Sequence, residues 1–109
     1  MAYDEELAER VRGHLGDVPV EEKKMFGGLA FLVGGNMAVG VSGQGGLLVR
    51  CDPADTDRLI EEANVSRMEM GNRTMNGWLR VTADSVDSDD ELGRWVGVGV
   101  GYAGSLPPK

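Results

Sequence analysis

The side chains able to do chemistry are few in this 109-residue chain. Cys51 is its only cysteine and His14 its only histidine. Cys51 stands just before a helix start, where the helix N-terminus lowers a thiol pKa, but neighbouring Asp52 opposes that effect. A Cys51–His14 pair of nucleophile and base would need a tertiary contact between distant segments. A buried, inert thiol is the simpler reading. A single cysteine also excludes an internal disulfide and a cysteine-rich zinc site.

Met68, Met70 and Met75 carry thioethers that suit copper(I). Methionine beside a tryptophan, here Trp78, more commonly fills gaps in a core. Asp84, Asp87, Asp89, Asp90 and Glu91 lack the glycine turn and terminal bidentate Glu of a calcium loop, and read as a solvated helix start. Gly99-Val100-Gly101-Tyr102-Ala103-Gly104 matches G-x-G-x-x-G. The dinucleotide fingerprint needs a following helix and an acid about 20 residues later, and the chain ends first. No metal and no cofactor is expected.

Arg73 is the polar residue most open to a binding role. It is expected in a turn between Gly71 and Gly77, where backbone amides can hold an anion. Arg50 and Arg80, at strand positions, join it if their strands are neighbours. The functional version takes a phosphate or carboxylate metabolite. In the competing version Arg73 fixes its turn through backbone carbonyls or Glu69. With no base, nucleophile pair or metal cluster in view, enzymatic activity is not expected.

The elements that must position these residues follow from patterning. Asp4 can cap a helix reaching Leu15, with Leu7, Val11 and Leu15 at four-residue spacing and Ala8 alongside. Gly16 and Pro19 end it. Residues 24–33 read as a strand with a bulge at Gly27-Gly28. Gly34-Gly35-Asn36 turns into a second strand over 37–42, and Gly43–Gly46 into a third over 47–51. Asp52-Pro53 starts a second helix with Leu59, Ile60 and Ala63 as its buried stripe and Asn64 as its stop. Residues 66–70 and 78–82 form two more strands around a turn over 71–77. Trp78, Arg80 and Thr82 then face away from Leu79 and Val81.

The segment from Leu92 to Gly104 fits both periods: helical at Leu92, Trp95, Gly99 and Tyr102, strand-like at Val96, Val98 and Val100. Each interior glycine costs a helix about 1 kcal/mol against alanine, so propensity favours strand or loop.

Met25-Phe26-Gly27-Gly28, the run Met68-Glu69-Met70-Gly71-Asn72-Arg73-Thr74-Met75-Asn76-Gly77-Trp78 and the tail Ser105-Leu106-Pro107-Pro108-Lys109 together resemble the TfoX N-terminal domain family. The resemblance spans nearly the whole chain. It implies an α+β fold of order α-β(3)-α-β(2)-α, a five-stranded antiparallel sheet with helices packed on one face. It also implies that the glycine-rich final segment is a helix, because tertiary packing can override propensity. The motif residues Met25, Phe26, Gly27, Gly28, Met68, Met70, Gly71, Met75, Gly77 and Trp78 are then structural. Full-length members resembling this family regulate natural competence in bacteria and carry a second domain. This chain is expected to be a stand-alone domain over 1–109.

Totals narrow the function further. An apolar fraction of 41% and a single-domain length support one packed core. The acidic N-terminus and the lack of any run near ~20 apolar residues point to a cytoplasmic protein with no membrane segment. A net charge of −7 with scattered basic residues disfavours direct nucleic-acid binding. Leu29-Ala30-Phe31-Leu32-Val33 and Leu47-Leu48-Val49 are apolar on both sheet faces. Helices can cover one face, so the other needs a partner: a second copy, giving a homodimer, or another protein. A regulatory or protein-interaction module is the expected function. An anionic-ligand domain or enzyme built on the Arg73 region is the alternative.

Overall fold

The structure, a computed structural model, describes residues 3–25, 27–43, 45–70 and 73–108, with backbone alone for Met25, Met70, Arg73, Thr74 and Met75. Helix α1 spans Glu5–Leu15. Asp4 caps it, its Oδ1 accepting from the Leu7 amide at 3.1 Å, and Glu5 and Glu6 sit where the helix dipole favours carboxylates. Leu7, Ala8, Val11 and Leu15 form its buried stripe.

Six antiparallel strands follow, not five: β1 (Glu21–Met25), β2 (Gly28–Val33), β3 (Asn36–Val41), β4 (Leu47–Arg50), β5 (Val65–Met70) and β6 (Arg73–Val81). Their order in the sheet is β1-β2-β3-β4-β6-β5. The extra strand is β1, hairpinned onto β2 with Glu22 opposite Phe31 and Lys24 opposite Leu29. Its Glu21-Glu22-Lys23-Lys24 core has no apolar alternation, so patterning cannot find it. Main-chain pairing suffices at an edge, and charge there discourages further strand addition.

Two other expectations change. The turn expected over 71–77 is much shorter, because β6 already begins at Arg73, which pairs with Met70. Arg73 therefore lies at a strand start. Register shifts further along: Met68 faces Met75 while Arg67 faces Leu79, so residues 76–78 are an excursion of β6 relative to β5. The second helix is also shorter. Pro53–Asp55 is a 3-10 turn capped by Asp52, and α2 covers only Thr56–Leu59. Beyond it Glu61 and Glu62 bond carbonyls three residues back, and Asn64 at φ 69 turns the chain into β5. Leu59 is buried and Ala63 is exposed, so Ala63 leaves the expected stripe.

The glycine-rich segment is helix α3, Asp89–Ser105, with Ser88 at its N-cap. Packing decides against propensity. Leu92, Trp95, Val96, Gly99 and Ala103 form one buried stripe against the sheet. Its contact point is Gly99: a Cβ there would lie 2.3 Å from the Ala38 carbonyl oxygen and 2.7 Å from Val39 Cγ1. Strand β3 is irregular at that point, Phe31 facing Val39 while Leu32 faces Met37, so Ala38 is the extra residue. By contrast, a Cβ at Gly97 would meet nothing within 4 Å.

All three helices contribute to one core, on the sheet face carrying Leu29, Phe31, Val39, Val41, Leu47, Val49, Leu79 and Val81. Trp95 fills its centre, its Nε1 buried without a described acceptor. The opposite face carries a smaller cluster of Ala30, Met37, Leu48 and Met68, flanked by partly buried Leu32 and Trp78. Ion pairs tie the rim. Arg12 of α1 forks onto Glu22 of β1 at 2.8 and 2.7 Å, and Arg94 of α3 reaches Glu62 beyond α2 at 2.7 Å. The hydrogen bond from Arg94 holds the Glu62 carboxyl below its ordinary range.

Two results are expected from urea unfolding. Gly99→Ala destabilises by about 1–3 kcal/mol through overpacking, whereas Gly97→Ala stabilises by about 0.5–1 kcal/mol through propensity. Equal effects at the two sites would contradict the seat of α3. Glu62→Gln lowers stability at neutral pH by less than about 1 kcal/mol, since both partners are more than a third exposed. The contribution of a carboxylate with a lowered pKa is complete above the ordinary range and disappears as pH falls through the lowered value. The variant and the parent should therefore converge in acid, and a gap that persists there would exclude charge as its origin.

Candidate functional site

Arg50 is the last residue of β4 and pairs with Trp78 of β6. Leu47 and Val49 point into the helix-covered core, so Leu48 and Arg50 belong to the other face. Trp78 is aimed there by the residue before it. Gly77 has φ 86, a conformation that L side chains rarely adopt. Its amide donates to Thr56 Oγ1 at 2.8 Å and its carbonyl accepts from the Cys51 amide at 2.9 Å. A Cβ would stand 3.1 Å from Pro53 Cγ and 3.2 Å from the Cys51 oxygen. Thr56 is buried, so this knot of β4, α2 and β6 is shielded from solvent.

The Arg50 guanidinium lies 4.9 Å from the Trp78 ring centroid and 5.6 Å from that of Tyr102, which the last turns of α3 bring to it. Such contacts are worth about 0.5–2 kcal/mol depending on desolvation. Among the described residues Arg50 has no carboxylate partner. Arg10, Arg12, Arg58, Arg67 and Arg94 each hold one, in Asp89, Glu22, Asp55, Asp57 and Glu62.

The three arginines singled out by sequence are placed differently. Arg80 shares the face of Arg50, since β4 and β6 are neighbours and Arg80 pairs with Leu48. Its Nη2 reaches back to the Gly45 carbonyl at 3.4 Å, at the opposite end of β4 from Tyr102. The Arg73 side chain lies outside the described residues. Tyr102 and Thr56 were not foreseen in the site. Tyr102 is visible in the sequence only as one member of a helical stripe, and nothing marks Thr56.

Of the described motif residues, Met68, Gly28 and Gly77 stand in close-packed surroundings. Met68 is buried beside Trp78 in the second-face cluster. Gly27 lies between β1 and β2, and a Cβ on Gly28 would stand 2.1 Å from the Val41 oxygen. Phe26 and Gly71 lie outside the described residues, as do the side chains of Met25, Met70 and Met75. Cys51 is 1% exposed; burial pushes its thiol up, and its polar neighbour is Thr56 Oγ1 at 3.9 Å. The His14 imidazole sits instead against Gly93, 4.0 Å from Asp89 Oδ1. The structure does not pair the two. Among the described residues no three His, Cys, Asp or Glu side chains gather as a metal site.

The TfoX N-terminal domain family matches residues 13–102, from the end of α1 to the aromatic ring beside Arg50. No curated protein and no solved structure matches the chain. No described helix is long and apolar enough to cross a membrane.

Thr56→Val removes the acceptor of a buried amide at nearly constant volume and is expected to cost about 1–3 kcal/mol in urea unfolding. Thr56→Ser should recover most of that loss. A valine variant as stable as the parent would contradict the role assigned to Thr56.

Proposed function

The chain belongs to the TfoX N-terminal domain family, and from that premise we propose a non-enzymatic, cytoplasmic regulatory module, like the N-terminal domain of competence regulators, that works by binding protein. The observation that carries the proposal is the helix-free sheet face. No helix residue joins its buried cluster of Ala30, Met37, Leu48 and Met68, and Leu32 and Trp78 at its flanks remain partly exposed. An apolar surface of this kind is commonly an interface.

The partner we assign to that face is a second copy of the chain. In the order β1-β2-β3-β4-β6-β5, Leu32 on β2 and Trp78 on β6 flank the β3–β4 line symmetrically. A two-fold axis along that line lays Leu32 of each copy on Trp78 of the other, an isologous contact made twice. Nucleic acid fits the face less well. The chain carries −7, and Arg50 and Arg80 reach toward opposite ends of β4, not along one phosphate track.

Sizing with light scattering at micromolar chain is expected to give the dimer mass. Leu32→Lys, a surface change outside the main core, should give the monomer mass with an unchanged circular dichroism spectrum. A parent that stays monomeric as concentration rises would overturn the proposed dimer.

A further inference from the structure

We propose that Arg50, Trp78 and Tyr102 form a binding site for a monocarboxylate carried on an apolar group. A guanidinium has five N–H donors in one plane and recognises anions along its edge. With aromatic rings 4.9 and 5.6 Å from its carbon, Arg50 is held between two π systems, which accept none of its N–H hydrogen bonds as a carboxylate would. No described side chain or carbonyl supplies an acceptor. The chain has 18 acidic residues and gives carboxylate partners to five other arginines, so among the described residues Arg50 stands without one in an acid-rich molecule.

The charge and surroundings select the ligand. Arg80 is turned toward Gly45, and Lys23 on β1 is separated from β4 by two strands. The one described cation between these rings matches one negative charge, and its fork matches the two oxygens of a carboxylate. A phosphate dianion would want a second cation. The partly exposed Trp78 ring offers the apolar tail or ring a surface, one for which the proposed second copy competes. The carboxylate can come from a free small acid or from the C-terminus of a peptide, since both present the same group.

The test is a nuclear magnetic resonance titration of the full chain with octanoate, read below and above any self-association. Octanol and inorganic phosphate serve as controls. Octanoate is expected to shift the Arg50 Nε–H and Trp78 indole resonances and to leave that of buried Trp95 in place. Arg50→Gln should weaken binding by about tenfold or more. Arg50→Lys should fall between, because an ammonium keeps the charge and loses the fork. A peptide ending in leucine is compared with its amidated form. Tighter binding of the free peptide than of octanoate assigns the carboxylate to a chain terminus, and the reverse to a small acid. No shift with millimolar octanoate or peptide, equal binding of octanol or phosphate, or undiminished binding by a folded Arg50→Gln protein would overturn the site. If that variant does not fold, Tyr102→Ala provides the same comparison.

Discussion

Everything in this molecule depends on how closely α3 can lie on β3. The helix crosses the sheet at Gly99, where the Ala38 carbonyl occupies the space a side chain would need. That contact sets the height of the whole helix. Trp95, one turn earlier, can then sink fully into the core, although its indole nitrogen lacks a described acceptor. The cost of a buried unpaired donor, about 1–3 kcal/mol, is offset by full burial of a tryptophan ring. Beyond the end of that helix the chain meets the start of β3, where Asn36 Nδ2 donates to the Pro107 carbonyl at 3.0 Å.

The Arg50 arrangement is a consequence of the same seat. Two independent constraints converge on the guanidinium. From the sheet, the Gly77 conformation and its bonds to Thr56 and Cys51 fix where Trp78 points. From the helix, the spacing between Gly99 and Tyr102 places the second ring. Neither constraint alone would bring two aromatic rings to one arginine. Side-chain entropy is lost in holding such a group still, so its rigidity has to come from packing around it. The protein uses the β4–β6 pairing for that purpose, while its other described arginines are mostly held by rim carboxylates.

Legibility in the sequence followed physical kind. Helix α1 was readable because Asp4 and the four-residue apolar spacing are both local signals. Helix α3 was not settled by its own residues, which fit both periods and whose glycines argue for strand or loop; only the family resemblance points to helix there. Strand β1 was unreadable as a separate strand: its end, Lys24-Met25, merges in the sequence with the strand expected over 24–33, and at an edge main-chain bonds form without apolar alternation. The end of α2 was unreadable because the turn at Asn64, not the apolar stripe, decides it. In the site, Arg50 and Trp78 were each visible. Their meeting was not, because β4 skips β5 to pair with β6, and a register excursion at residues 76–78 sets the pairing. The two glycines that bracket Arg73 predict a turn there. Its backbone joins β6 instead, since strand pairing continues up to Met70.

Amide hydrogen exchange across α3 tests the central constraint most directly. If the helix is continuous and pressed on the sheet, the amides of Trp95, Val96, Gly99 and Ala103 exchange only through global unfolding, at the rate of the Val39 and Val49 strand amides. If the glycine-rich half were instead a loop or a loosely docked segment, Gly99 and Ala103 would exchange orders of magnitude faster than Trp95, and the seat of α3 on β3 would be refuted.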